Sequence, residues 1–317
     1  MQGHWSGAFA PLRAELTALL DMERVKALHA TSGWRHGLVA ARQALLLAGC
    51  AFVIVRHPDR WYAWLPAALL LGFVIFSFTV LLHEVVHLAV FAQRKRSANS
   101  WLAWLYALPS GLSPTQFAKW HLDHHAELGD PERDPKRHHL TPKIVRRWYK
   151  ALYLTPALFP IYFRAAAREA GGYPPELRAR LRRERAAVVG CHLLLMAAIL
   201  LAWGWPVLLR LYVLPVFFVF PVAFTINRLG QHYDIEPGDP AAWGTIIRTN
   251  PAWDFLFLWS NYHMEHHYFP GVPFYNLAAL HRELAPFLAR HPMRVRTYGG
   301  LLWDWFVKNR APHVSWH

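Results

Sequence analysis

The chain has 317 residues, of which 54% are hydrophobic, and a formal net charge of +14 at neutral pH. So large an apolar fraction is not typical of a soluble enzyme, and it predicts a single membrane-embedded domain over residues 1–317. Cys50 and Cys191 lie in apolar stretches without CxxC spacing, so neither a disulfide framework nor a thiolate metal site is predicted. The basic residues fall between the apolar runs, where anionic lipid or an acidic protein is the expected partner.

Residues 1–36 precede the first long apolar run and contain no continuous apolar core of the kind that a secretory signal requires. The spacing of Leu12, Leu16, Leu19 and Leu20 instead predicts an amphipathic helix. We expect this helix to lie on the membrane surface, with its leucines in the lipid.

Four apolar stretches are long enough to cross about 30 Å of hydrocarbon, which takes roughly 20 residues. They cover residues 37–55, 61–93, 186–203 and 206–226. RHPDR joins the first pair and GWP joins the second, so two helical hairpins are predicted. A continuous helix over the second stretch would overshoot the hydrocarbon by roughly 20 Å, so its end, HEVVHLAVFAQ, is predicted to project from the membrane.

Lys and Arg concentrate on one side of this predicted topology, mainly in residues 94–185 and 227–317. The positive-inside rule makes that side cytoplasmic, and the inner membrane of a bacterium is the expected location. The fold class predicted is therefore an all-α integral membrane protein, in which four spans carry a helical cytosolic cap. Within the cap, WLAWLYALPSGL at 101–112 is too short to cross and predicts a re-entrant or interfacial segment. The Arg-rich stretch 141–185 favours contact with lipid headgroups over nucleic acid.

Histidines concentrate in four motifs on the predicted cytoplasmic side. The motifs HEVVH, HLDHH, NRLGQH and HMEHH contribute His83, His87, His121, His124, His125, His232, His263, His266 and His267. Residues i, i+3 and i+4 share one face of a helix, so each cluster can direct at least two rings towards a common point. The nine imidazoles exceed what one metal takes, whereas two ions would each receive four or five, which suits iron with open positions for dioxygen.

Local signals predict helices under these clusters. Ser113 and Pro114 read as the cap and first residue of a helix under HLDHH, with Gln116 completing a capping box. Gly129 is the expected terminator of that helix. Asn250 and Pro251 are predicted to begin a helix that carries HMEHH and ends before Pro270.

Carboxylates inside the motifs, and two that follow HLDHH, are candidates to accept the second ring N–H of a ligand histidine, with solvated salt bridges as the alternative. The candidates are Glu84, Asp123, Asp130, Asp134 and Glu265, joined by Asn227 and His281 as further residues around the metals. His138 and His139 are expected in solvent. His192, inside the third span, is expected as a buried, hydrogen-bonded histidine, with substrate contact as the alternative.

From about Phe73 to His281 the chain resembles the integral-membrane fatty acid desaturase family. The resemblance is carried by the HxxxH, HxxHH and HxxHH boxes, by GDPERDP, and by NYHMEHHYFPGVPFYNLAALH. It implies a four-helix stem with a cytosolic cap, in which the nine histidines hold two irons. In such proteins an Asn or a water often takes one metal position near the fourth span, where His232 is the expected ligand here and Asn227 is a further candidate.

The resemblance also implies an oxidoreductase that uses dioxygen and two electrons on a fatty acyl substrate, whether free, thioester or lipid-linked. Desaturation is predicted, with alkene-forming decarboxylation, hydroxylation or ketolation as alternatives that the boxes do not separate. No His-Pro-Gly-Gly cytochrome signature and no cysteine cluster is present, so a separate donor such as a ferredoxin or cytochrome is expected.

Two other classes compete with this interpretation. HEVVH matches the HExxH pattern of zinc peptidases, in which Glu84 would be the general base and His83 and His87 the ligands. That alternative leaves HLDHH and HMEHH without a purpose. A metal carrier or haem protein would instead favour polar residues within the spans or single facing histidines, whereas here the clusters lie at the span ends.

Overall fold

The computed structural model describes residues 3–92, 96–130, 132–142, 144–232 and 239–310, and it is mostly helical. The α-helices and strands, in chain order, are α1 (His4–Leu19), α2 (Met22–Leu28), α3 (Gly33–Arg56), α4 (Trp61–Val86), α5 (Arg96–Ala107), α6 (Pro114–Glu127), α7 (Pro135–Leu140), α8 (Arg147–Ala151), α9 (Leu158–Gly171), α10 (Pro175–Leu208), α11 (Phe220–Leu229), β1 (Ile246–Ile247), α12 (Pro251–Phe257), α13 (His263–Tyr268), α14 (Leu277–Glu283), α15 (Ala285–Arg290), β2 (Val295–Arg296) and α16 (Tyr298–Leu302). Short 3-10 turns cover Leu152–Leu154, Pro240–Ala242 and Phe274–Asn276, and π-helical segments cover Leu209–Val219 and Trp303–Val307.

Three helical stretches among the described residues are long and apolar enough to cross a membrane: Gly33–Arg56, Trp61–Val86 and Pro175–Leu229. α4 is the central one, packed between α3, α5 and the π-helical segment. The prediction that it continues to Gln93 is wrong. Leu88 has φ +56, a left-handed conformation that an α-helix does not tolerate, so the helix ends at Val86 and HLAVF turns away from its axis.

The third stretch contains a reversal of the chain. Gly204 lies within it at φ +77 and ψ −179, a conformation that glycine adopts readily. Nδ1 of His192 lies 2.7 Å from the hydroxyl of Tyr212, whereas 20 residues of straight helix would separate them by about 30 Å. The two arms therefore pack side by side, and the turn coincides with the predicted GWP connection.

The N-terminal helix α1 packs on the cap. Leu12, Leu16 and Leu20 are buried inside the protein, and the ring of Phe9 stacks on Tyr268 with centroids 5.6 Å apart. The expectation that this apolar stripe lies in lipid is therefore wrong. The stripe is buried against the protein instead, with Tyr268 of the cap stacked on Phe9, so its apolar surface is removed from water without a membrane.

The helix α5 has both an exposed and a buried aromatic side chain. In α5, Trp101 is 78% exposed while Tyr106 is buried, an arrangement that suits the interfacial segment predicted at 101–112.

The strands β1 and β2 form a parallel pair, in which Ile246 lies opposite Val295 and Ile247 opposite Arg296. The strict all-α prediction missed this pair because two-residue strands carry too little alternation to detect.

Candidate metal centre

Two helices present the first two histidine motifs. His83 lies in the last turn of α4 and His87 caps that helix, while α6 carries HLDHH. Ser113 caps α6 as predicted, because its Oγ accepts the backbone N–H of Gln116 at 3.2 Å. The Gln116 side chain donates instead to the carbonyl of Ala166, so the capping box is not reciprocal. α6 ends at Glu127, and Gly129 follows with φ +88.

The third box lies on a helix of its own. Asn250 caps α12 through the N–H groups of Ala252 and Trp253, each at 3.0 Å. α12 ends at Phe257, because Leu258 and Trp259 have φ +46 and +58. The prediction of one helix from Asn250 to Pro270 is therefore wrong: the chain turns, and the six-residue helix α13 begins at His263. This turn re-aims the third box towards α6.

The nine predicted histidines assemble into two groups, in each of which the facing ring nitrogens all lie within 4.8 Å of one another. The five-histidine group contains His83, His87, His121, His125 and His266. The four-histidine group contains His124, His232, His263 and His267. The NRLGQH histidine thus joins both HxxHH boxes in the smaller group.

Each HxxHH box serves both groups. In α6 the i, i+4 pair, His121 and His125, points to the five-histidine group and His124 to the other. In α13 the assignment is reversed, since His263 and His267 belong to the four-histidine group and His266 to the five. Neighbouring residues on a helix are about 100° apart, so the HH dipeptide can supply two adjacent sites.

The donor set fits metal ions. Nδ1 of His124 lies 2.8 Å from Asp134 and Nδ1 of His232 lies 2.7 Å from the carbonyl of Trp243, so in each neutral ring the proton is on Nδ1. The two Nε2 atoms, now both acceptors, face each other at 3.0 Å. Two lone pairs at that distance have no proton to share, whereas a cation between them satisfies both. The structure therefore fits a metal site at the four-histidine group.

Burial keeps these rings in the form that binds metals. Desolvation lowers the pKa of His121, His124 and His267 well below the ordinary value, and neighbouring positive charges add to the effect. The same cause lowers the pKa of His87, His125, His232, His263 and His266. A neutral imidazole offers the free lone pair that coordination requires.

The predicted supporting residues divide into two classes. Asp134 contacts His124, and Glu84 lies 3.3 Å from Nδ1 of His83 while it accepts the N–H of Phe274 at 2.9 Å. The other candidates have different partners: Asp123 pairs with Lys119, Asp130 with Arg133, Glu265 with Nδ1 of His281, and Asn227 with Ser260 and Gln231. For Asp123 and Asp130 the salt-bridge alternative is the one that the structure shows.

One supporting contact was missed by the sequence analysis. The carbonyl of Trp243 accepts from His232, and a backbone carbonyl carries no residue-type signal. His192, by contrast, has partners on both ring nitrogens, with Nε2 lying 2.8 Å from the carbonyl of Leu108. The predicted hydrogen bonding is confirmed, but the residue is only half-buried and the predicted full burial is wrong. His138 is exposed as predicted, and the side chain of His139 lies outside the described part of the chain.

A cavity of about 110 Å³ opens beside the two groups. Four of the histidines line it, namely His83, His121, His263 and His266. Most of its wall is apolar, including Phe76, Val80, Phe117, Phe224 and Leu277. Polar groups interrupt this wall at Asn227, Gln231, Ser260 and Lys136. Burial lowers the pKa of Lys136 to about 7, and the nearby Arg228 acts in the same direction.

Comparisons with known proteins agree with this centre. Residues 59–299 match the family model for fatty acid desaturases, and the chain belongs to that family. The human sphingolipid delta(4)-desaturase/C4-monooxygenase DES2 is 28% identical over 257 residues, which are 77% of this chain and 72% of the human protein. The Bos taurus protein of the same name is 27% identical over 241 residues, or 74% and 69% of the two chains. The family and these relatives identify the protein as an oxidoreductase that acts on lipids.

Proposed function

We propose that this member of the fatty acid desaturase family is a membrane-bound diiron oxidase that desaturates a fatty chain with dioxygen and two electrons from a separate donor. The observation that carries the proposal is the division of nine histidines into groups of five and four. Each group leaves open positions on an ion that prefers six ligands, as iron does in oxygenases. A single zinc with three protein ligands, as in HExxH peptidases, would use only part of this set.

In the proposed reaction the bound irons would supply the oxidation. Dioxygen would take two hydrogens, with their electrons, from a pair of C–H bonds, and two electrons from the donor with two protons from water, and would leave as two water molecules. The protein holds the chain and excludes water. Phe76, Val80 and Phe117 form apolar walls beside His83 and His121, so a methylene can rest against the metals in a dry cavity. Asp134 and the carbonyl of Trp243 hold their histidines in the ligating tautomer.

We propose a stem of four spans with the histidines on the cytoplasmic side. The reversal at Gly204 supports the count, since it divides Pro175–Leu229 into two arms. The positive-inside rule supports the sidedness, because the basic residues lie on the side of the cap. The same positive charge suits an acidic ferredoxin or cytochrome as electron donor.

A second candidate function, oxidation of a lipid close to a polar head group, by desaturation or hydroxylation, is supported by the cavity lining. At about 30 Å³ of liquid volume for each water, 110 Å³ holds about four water-sized groups. Asn227, Gln231 and Ser260 lie in this same small volume, so the reacting carbon is proposed to lie only a few bonds from hydrogen-bonding atoms. A sphingolipid-like chain, with hydroxyl and amide groups next to the reacting carbons, meets that requirement better than a mid-chain site on a simple fatty acid.

The test uses the purified, iron-loaded protein in lipid nanodiscs with a ferredoxin and its reductase. It is supplied separately with a fatty acid, a fatty acyl thioester and an N-acylated 2-amino-1,3-diol, and products are identified by mass spectrometry. Loss of two hydrogens supports desaturation and gain of one oxygen supports hydroxylation. A product one carbon shorter would assign decarboxylation instead, and one zinc per chain with no oxidised lipid would refute the proposal.

A further inference from the structure

We infer that α1 belongs to the metal centre, and that Trp5 is a positioning residue that holds the four-histidine group through Trp243. The inference rests on the proposed function only in that the two histidine groups bind metals. Trp5 is 8% exposed. Its ring lies 5.7 Å from that of Trp243 and meets His267 edge-on at 6.4 Å.

Trp243 connects this contact to a ligand. Its carbonyl accepts the Nδ1 proton of His232 at 2.7 Å, which leaves Nε2 of His232 facing His124 and His263, each at 3.0 Å. A displacement of residue 243 would move the acceptor that fixes this tautomer. The orientation of His232 therefore depends on where the indole of Trp243 sits.

The indole of Trp243 is held from several directions. His4 stacks on it with centroids 5.5 Å apart and planes 9° from parallel, and Trp5 packs beside it. Gly129 also lies against the ring: a Cβ there would be 2.5 Å from the indole, and its φ of +88 also favours glycine. α1 and the turn after α6 thus form a clamp on Trp243.

The contacts of α1 are directed at one of the two groups. Trp5 stacks on Phe9 at 4.8 Å, and Phe9 stacks on Tyr268, the residue after His267. His267 and His232, whose Nδ1 is held by the carbonyl of Trp243, both belong to the four-histidine group. The five-histidine group is built from α4, α6 and His266 of α13, so its ligands are predicted to keep their positions when the Trp5 contact is removed.

The experiment separates local positioning from the general stability of α1. Trp5→Ala removes the contact, and Trp5→Phe keeps an aromatic ring. Leu16→Ala removes a side chain of the same helix that is even more deeply buried and lies 11 residues away from Trp5. Iron per chain is measured by elemental analysis during competition with a graded series of chelators. Thermal unfolding of each variant is recorded in the same detergent.

We expect Trp5→Ala to bind its more weakly held iron about 10–100-fold less tightly, the usual effect of losing a contact that orients a ligand, and to keep the other. Trp5→Phe is expected to restore most of that affinity, and Leu16→Ala to keep both irons despite a lower melting temperature. The inference is overturned if Trp5→Ala competes with chelators as the wild type does, or if Leu16→Ala loses iron equally. A wild type that holds both irons but oxidises no lipid would refute the proposed function alone, and a wild type that binds no metal would refute both.

Discussion

Oδ1 of Asp134 lies 2.8 Å from Nδ1 of His124, and both side chains are almost completely buried. The same oxygen accepts the backbone N–H groups of Lys136 and Arg137 at 3.0 and 3.4 Å, so the carboxylate caps α7 while it orients the histidine. One residue therefore joins the cap helix to the four-histidine group. Replacing Asp134 therefore tests whether this carboxylate contributes to metal binding at the four-histidine group.

We predict that Asp134→Asn weakens metal binding at the four-histidine group by about 10–100-fold. Asparagine is as good a helix cap as aspartate, so α7 is expected to remain while the charge beside His124 is lost. Asp123→Asn is the matched control, because Asp123 pairs with Lys119. The metal affinity of both variants is measured by competition with a chelator. Equal affinities for Asp134→Asn and the wild type would contradict the role assigned to this carboxylate.

Replacing one ligand is expected to have a larger effect. We predict that His266→Ala lowers metal affinity at the five-histidine group by more than about 100-fold, beyond the range seen for supporting residues, and that oxidation of lipid falls to background with it. His138→Ala, which changes an exposed histidine, is the control and is expected to behave as the wild type. Activity that survives in His266→Ala would show that this ring is not a ligand.

The cavity can be blocked without touching the metals. Val80 lines it one turn before His83, and we predict that Val80→Phe abolishes turnover of long chains while iron content stays at the wild-type level. Val74→Phe controls for overpacking, since Val74 is also buried in α4, and either change is expected to cost about 1–3 kcal/mol in stability. Unchanged turnover by Val80→Phe, measured with the same substrates, would show that the acyl chain of the substrate binds outside this cavity.

The packing of the stem depends on a glycine. A Cβ at Gly72 would lie 2.4 Å from Cβ of Val219, whereas one at Gly49 would have no heavy atom within 4 Å. We predict that Gly72→Ala destabilises the protein by about 1–3 kcal/mol by forcing α4 away from the π-helical segment. Gly49→Ala is expected to be neutral or to stabilise by up to about 1 kcal/mol, through helix propensity. Thermal unfolding of both variants is measured in one detergent. Equal melting temperatures would contradict the close approach of α4 to the π-helical segment at Gly72.

The C-terminal segment contains a buried ion pair with a predictable pH dependence. Asp304 lies 3.0 Å from Arg296 and 2.9 Å from Lys308. Burial raises the pKa of Asp304. The hydrogen bond and charge of Lys308, together with the charge of Arg296, lower it by more, so the folded pKa lies below the ordinary value. A depressed carboxylate pKa contributes stability above the unfolded pKa, and this contribution is lost as pH falls through the folded value.

We therefore predict that Asp304→Asn destabilises the protein at pH 7 by about 1–3 kcal/mol, because it removes the negative charge beside Arg296 and Lys308. The difference from the wild type should begin to shrink below about pH 4, the pKa of an unfolded aspartate. It should be lost as pH falls through the lower folded pKa, where the wild-type carboxyl takes up a proton. Denaturation midpoints at pH 7, 5 and 3 measure this. A difference that stays constant over that range would show that the charge of Asp304 is not what stabilises the segment.

Much of the centre could be predicted from local sequence. Apolar length located α3 and α4, and the caps Ser113 and Asn250 were identified because a side-chain oxygen beside a proline marks a helix start. The number of histidines indicated two ions. It did not indicate which ring belongs to which group, because that depends on the rotation of α6 and α13 about their axes relative to each other.

The sequence by itself determined the apolar spans, the histidine boxes and the helix starts, since each follows from a periodicity or a hydrogen bond within a few residues of chain. Only the tertiary structure decided that α1 covers the cap, that Leu258 and Trp259 turn α13 back towards α6, and that the carbonyl of Trp243 holds His232. These contacts join residues that are far apart in the sequence, and only the packing of the whole fold brings them together. An apolar face can be buried against lipid or against protein with similar gain, and only the aromatic partners brought to α1 by the rest of the fold select between them.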